Sequence, residues 1–200
     1  MRQIKKFFFV GAMICGALVI GLLGCSSAKQ HGRGVVRTYQ NPVFAGDMPD
    51  PSVRKFGKYY YAFGTTGAGR MPDGRIFSML RSENLVDWEE LGGALVQPTN
   101  NHGYQYWAPE ITEHRGKYYL YYAMGGVETE RFALRVGTSS KPQGPYVDAG
   151  VVLSDCESNR FTIDPFPFRD DDGQWYLFYA CFLLKAAVSM PAPGLSWIVC

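Results

Sequence analysis

Charge is scarce in this 200-residue chain: Asp, Glu, Lys and Arg make up 19% of it, and the net charge is +2. A balance so near neutral, with no basic stripe, no helix-turn-helix pattern and no phosphate-cradling glycine loop, points away from a nucleic-acid partner. Histidine is scarcer still, and His102 and His114 are isolated, without metal-ligand spacing, so neither a metal nor a cofactor is expected. Of the five cysteines, Cys15 and Cys25 sit at the N-terminus, leaving Cys156, Cys181 and Cys200. An odd number predicts no complete disulfide framework. Helical periodicity is missing after residue 40, which leaves an α/β reading little support.

The single long hydrophobic run lies at the start. "MRQIKK" is a basic region, "FFFVGAMICGALVIGLLG" is apolar, and Cys25 follows at once. That order predicts a secretory signal over residues 1–25, and "LLGC" resembles a lipobox, in which Cys25 becomes the lipid-bearing first residue. The alternative is an uncleaved anchor, since the run approaches the roughly 18 residues of a membrane span. Residues 26–40 read as a polar tether. Removal of Arg2, Lys5 and Lys6 with the signal leaves a net charge of −1. The expected location is the cell envelope, as a lipoprotein held in the outer membrane or facing the periplasm; neither Ser26 nor Ser27 decides the leaflet.

Beyond residue 40 one phrase recurs. "GKYYYAFGTT" (57–66), "GKYYLYYAMG" (116–125) and "GQWYLFYACF" (173–182) begin 59 and 57 residues apart. Each has a turn-forming glycine, a polar residue, then alternating aromatic and aliphatic side chains, the pattern of a half-buried strand. "RIFSMLRSEN" and "FALRVGTSSK" predict a further strand after the first two phrases, and "SENLVDWEELGGALV" and "SSKPQGPYVDAGVVL" a turn and another strand. Four strands in just under 60 residues suit a β-propeller blade. A sandwich also has strands at such spacing, but gives no reason for whole phrases to recur.

Ahead of each phrase stands a polar or acidic residue beside proline: "MPDPSV", "YWAPEI" and "TIDPFPF". Proline fixes its own φ and restricts the residue before it, so Asp50, between Pro49 and Pro51, is expected to be extended and constrained. The first strand of each blade lines a propeller's axis, so these steps are expected to converge at one end of it. Convergent carboxylates in a funnel suit glycosidic hydrolysis, in which one activates water and another protonates the leaving oxygen.

"NPVFAGDMPDPSV", "YWAPEI" and "IDPFPFRDDDGQWYLFY", in that order, resemble the N-terminal portion of glycoside hydrolase family 43 across about residues 41–180. The resemblance implies an all-β, five-bladed propeller whose members invert configuration while cleaving arabinose- and xylose-containing plant polysaccharides. It implies Asp50 as general base, Asp164 as the aspartate that tunes the acid's pKa, and Trp107 as an aromatic at the sugar-pocket rim. His102, near "YQYWAPE", is the histidine expected to contact the pocket. Glu110 is set aside as a non-catalytic acid of the family pattern. Trp107 could equally be a core aromatic between blades. "RDDDG" lacks the ligand spacing of a calcium loop and reads as a solvated hairpin turn.

The family's general acid is a glutamate in the next blade, whereas the last acidic residue here is Asp172 and residues 181–200 lose the aromatic rhythm. The expectation is therefore about three blades, 41–180, followed by an aberrant tail that forms no regular strand. The chain as it stands is expected to be inactive, with an oligo- or polysaccharide as partner and a membrane contact through Cys25. Two rivals stay open. One is a non-catalytic glycan-binding surface lipoprotein. The other is a retaining sucrose- or fructan-cleaving relative, which would usually carry asparagine before the first Asp-Pro and "RDP" at the second.

Overall fold

The computed structural model describes residues 38–98, 103–126, 131–153, 159–183 and 196–199, and every regular element among them is a β-strand. The first phrase and its lead-in form β1 (Ser52–Phe56) and β2 (Tyr59–Gly64), continued by β3 (Ile76–Ser82) and β4 (Glu89–Leu95) in one antiparallel meander. The second repeats the order with β5 (Gln105–His114), β6 (Lys117–Gly126), β7 (Arg131–Ser139) and β8 (Val147–Leu153). The third begins as β9 (Asn159–Arg169) and β10 (Trp175–Leu183), an antiparallel hairpin. The recurring phrases thus become two four-stranded blades and the opening of a third.

Each hairpin turns where its glycine stands. Gly57, Gly116 and Gly173 have φ of 59°, 76° and 87°, the left-handed region that a side chain resists. Arg115 joins Gly116 in that region, φ 52°, giving the two-residue primed turn whose twist matches the strands. "RDDDG" closes β9 to β10 as a turn: Asp170 N–H donates to the Gln174 carbonyl, 2.9 Å, and Asp172 accepts from Gln174 N–H, 2.8 Å. Those carboxylates serve their own backbone.

Alternation along the strands sorts side chains into two interfaces. Tyr61, Phe63, Phe77, Met79 and Leu95 of the first blade meet Ile111, Leu120, Tyr122 and Tyr146 around the second. Tyr146 also bridges the blades through its backbone, donating to Ala94 O and accepting from Val96 N–H. Between the second blade and third sheet lie Phe132, Leu134 and Leu177, with Trp107, Phe161 and Tyr179 against them. The inner strand β5 packs on both β1 and β9, so the three lead-ins do converge.

The expectation of a strandless tail is corrected. Ser196–Val199 forms β11, which pairs in parallel with Tyr176–Tyr179 of β10. The prolines and glycine thought to prevent a strand, Pro191, Pro193 and Gly194, all precede it, so they leave its backbone donors intact. The parallel pairing departs from the meander of the first two blades.

Inside the second blade Arg135 of β7 makes paired hydrogen bonds to Asp148 of β8, and Tyr122 of β6 donates to the same carboxylate at 2.6 Å. Burial alone would raise the Asp148 carboxyl, but the hydrogen bonds from Arg135 and Tyr122 and the arginine's charge together hold it below the usual range. A depressed carboxylate adds stability that is present above its unfolded value and lost as pH falls through the folded one. Asp148→Asn is therefore expected to destabilise the fold by about 3 kcal/mol near neutrality, because it strands a half-buried guanidinium. Denaturant melts below pH 4 should show the difference from the parent shrinking.

Candidate active site

Three steps of the same kind meet at one end of the inner strands: Asp50–Pro51, Ala108–Pro109 and Asp164–Pro165. The residue before each proline is left-handed, with φ of 48°, 46° and 54°. This corrects the extended backbone expected of Asp50. The proline ring disfavours only the right-handed helical region and would leave these residues extended; at Ala108 the left-handed turn is held from a neighbouring strand, its N–H donating to the Thr65 hydroxyl. In β5 the step is a bulge, breaking register with β6 between Trp107 and Glu110; β9 shifts against β10 around Asp164. A bulge re-aims the side chain at its centre, which is how these residues leave the sheet face.

Asp50, Ala108–Pro109 and Asp164–Pro165, with Glu110 and Phe166, line one cleft of about 270 Å3. Thr65, closing the first aromatic phrase, organises its mouth. Its hydroxyl accepts from Ala108 N–H at 2.8 Å, so its single proton is free to go to Asp50 Oδ2, 3.0 Å away. Thr65 N–H in turn donates to Pro49 O at 2.9 Å. Among the described residues no donor meets the other oxygen of Asp50.

The remaining carboxylates differ in environment. The Asp164 carboxyl is pushed up, first by desolvation against the cleft walls and then by the charge of Asp50. Burial likewise raises Glu110, but Arg54 opposes it by charge and by a 3.0 Å hydrogen bond from Nη2 to Oε2. Two aspartates close enough to couple, with one driven toward its protonated form, have their proton affinities held apart.

A family model described as Glycosyl hydrolases family 43 matches residues 39–186. The chain belongs to this family. It is 29% identical over 144 residues to an extracellular endo-alpha-(1->5)-L-arabinanase of Bacillus subtilis, covering 68% of this chain and 43% of the relative. A non-reducing end alpha-L-arabinofuranosidase of Bacteroides ovatus is 31% identical over 120 residues, covering 56% of this chain and 22% of the relative. Among solved structures, a thermostable family-43 glycoside hydrolase superposes with TM-score 0.59 at 31% identity, over 71% of this chain and 44% of that one. A Cellvibrio cellulosa alpha-L-arabinanase complexed with arabinohexaose gives 0.53 at 26%, over 66% and 44%. The chain thus spans less than half the length of these relatives. Its all-β fold, with two full blades, is that of a family 43 propeller.

The sequence-predicted residues are not all gathered in the cleft. Asp50 and Asp164 are. Trp107 does not line it: its ring stacks on Phe132 at 4.2 Å and meets Phe161 edge-on at 6.0 Å, between blades. Only its half-exposed part is left for a ligand. His102 and Cys25 lie outside the described residues. His114 packs against Trp175 at the hairpin end of β5, ten residues from Tyr104 and away from the cleft. Glu110, set aside by sequence, lines the cleft, and Thr65 was missed; its signal was the polar pair closing "YAFGTT".

Asp50→Asn is expected to lower the Asp164 midpoint in a carbon-detected NMR titration, without returning it fully, because burial remains. A raised carboxyl costs stability once pH exceeds its unfolded value. Asp164→Asn should accordingly raise the melting temperature at pH 7, a gain that vanishes below about pH 4, where both states are protonated.

Proposed function

We propose that the chain carries the water-activating half of an inverting glycosidase site for arabinose- or xylose-containing polysaccharides. The observation behind this reading is that two left-handed Asp-Pro steps deliver Asp50 and Asp164 into one cleft. Asp50, oriented by the Thr65 hydroxyl, takes the proton from a water that attacks the anomeric carbon. Asp164, with its raised affinity for a proton, tunes and orients the partner that protonates the departing oxygen. In an inverting site the two proton-transferring carboxyls stand about 6.5–9.5 Å apart, leaving room for that water.

Names of relatives favour arabinan: an endo-arabinanase, an arabinofuranosidase and an arabinanase holding arabinohexaose are among them. Among the described residues the cleft's third carboxylate, Glu110, is paired with Arg54, so the part of the site described here carries no separate donor for a poor leaving group. The reading is a cleft that binds the sugar and activates water but cannot expel an alkoxide. "LLGC" supports export and lipid attachment at Cys25, which would hold the protein in the cell envelope.

Two measurements test this. The chain should bind arabino-oligosaccharides yet leave arabinan intact. It should slowly hydrolyse a dinitrophenyl arabinofuranoside, whose leaving group needs no proton, with inverted product; Asp50→Asn should remove that rate, a general base being worth roughly 10²–10⁴-fold. Retained configuration would point to a nucleophile and sink the base assignment. Separately, Cys25→Ala should abolish incorporation of a labelled fatty acid in cells; persistent labelling rejects the anchor.

A further inference from the structure

We propose that Glu110 and Phe166 are the sugar-recognising wall of the cleft, and that Arg54 is the positioning residue that holds both. The proposal rests on the glycosidase reading and adds to it the groups that choose the sugar.

Among the described residues the cleft's lining is sparing in polar groups. Apart from Asp50 and Asp164 these residues offer one more, Glu110; the other contributions are Ala108, two prolines and Phe166. With Asp50 on the water and Asp164 tuning the acid, the ring hydroxyls of a bound pentose have one carboxylate left to donate to. That carboxylate keeps an oxygen for the purpose: Arg54 engages Oε2, and among the described residues nothing engages Oε1. Hydrogen bonds from a hydroxyl to an ionised carboxylate are roughly twice as strong as neutral ones, so the charge state of Glu110 matters. Burial raises the Glu110 carboxyl on balance, and the charge and hydrogen bond of Arg54 oppose that rise.

Arg54 does more than balance charge. It starts on β1, donates from Nε to Ile111 O on β5 at 3.4 Å, and lays its guanidinium 5.0 Å from the centre of the Phe166 ring on β9. One side chain therefore touches all three inner strands. Phe166 stays 39% exposed although Pro165 and Pro167 beside it are buried. An aromatic ring held open in a cleft, with its edge or face toward bound ligand, suits the apolar C–H face of a furanose or pyranose. A purely structural ion pair is the competing account. Yet β1 is already tied to β5 by the 2.6 Å hydrogen bond from Ser52 to Pro109 O, so register does not require Arg54.

The test is calorimetric titration of arabinohexaose into the full chain and its variants, each first checked for a cooperative melt. Glu110→Gln, which keeps shape and loses charge, should weaken binding at least tenfold. Phe166→Ala should do likewise, while Phe166→Tyr keeps most of the affinity. Arg54→Met should resemble Glu110→Gln and Arg54→Lys should restore part of the loss, an outcome a packing role would not give. Methyl arabinofuranosides lacking one hydroxyl at a time complete the experiment: for one of them the penalty of Glu110→Gln should disappear. Binding by Glu110→Gln within twofold of the parent, or an equal penalty for every deoxy sugar, overturns the assignment while leaving the glycosidase reading intact. Absence of binding by the unsubstituted protein overturns both.

Discussion

The short hydrogen bond from Ser52 to the Pro109 carbonyl fixes the inner edge of the molecule. A proline step in a strand removes a backbone donor and bulges the ladder, leaving a carbonyl without its usual partner. Pro109 O is in that position on β5, and Ser52, just past the matching step on β1, supplies the missing donor at 2.6 Å in a buried setting. Leaving such a group unsatisfied would cost about 1–3 kcal/mol. The bond therefore stabilises the interface and aligns the first step with the second. Thr65 then bonds to both steps, taking Ala108 N–H and giving its proton to Asp50. The carboxylate is placed by blade-to-blade contacts, so its position depends on the assembled fold and not on the Asp-Pro dipeptide alone.

Away from the axis, the blades are held by aromatic contacts and by a recurring polar device. In the second blade Tyr122, Arg135 and Asp148 join three successive strands. In the first, Arg81 of β3 bonds Glu89 of β4 and lies over the Tyr59 ring of β2, 4.6 Å from its centre. The same chemical idea appears twice with different exposure. Glu89 is more than half exposed and its pair is screened, whereas Asp148 is largely enclosed. The second blade, flanked on both sides by described neighbours, has the enclosed version.

The strands were legible because the phrase is repetitive, a turn glycine leading into a run of aromatic and aliphatic side chains in every copy. The turn glycines could be read for the same reason: Gly57, Gly116 and Gly173 begin the phrases and all three are left-handed. What sequence handled poorly was anything set by contacts between blades. Thr65 looks like the end of a strand until Ala108 is brought to it. Glu110 was discounted by its place in a family pattern, although the fold turns it into the cleft. Trp107 was left open between the pocket rim and the core, because the rings of Phe132 and Phe161 that pack against it between blades are distant in sequence. The local rule for residues before proline also failed, since it weighs only the right-handed alternative and not a bulge stabilised from a neighbouring strand.

Ala108 separates what the fold demands from what the chemistry demands. Its φ of 46° matches those of Asp50 and Asp164, so the left-handed step belongs to the inner strand of each repeat whatever side chain it bears. For an alanine that conformation costs roughly 1–2 kcal/mol, with no side-chain hydrogen bond to soften it. The strain is therefore not a signature of catalysis by itself. It is a device of the propeller that projects one Cβ per repeat toward the axis, and where that residue is alanine the projection carries no reactive group. Aspartate at the other two positions is thus not needed to make the turn. It adds charge at the one place where the backbone already points inward, at the expense of desolvation and of repulsion from Asp50, which together raise Asp164. A carboxylate retained under such repulsion, where an alanine makes the same turn, is most simply explained by chemistry at the axis.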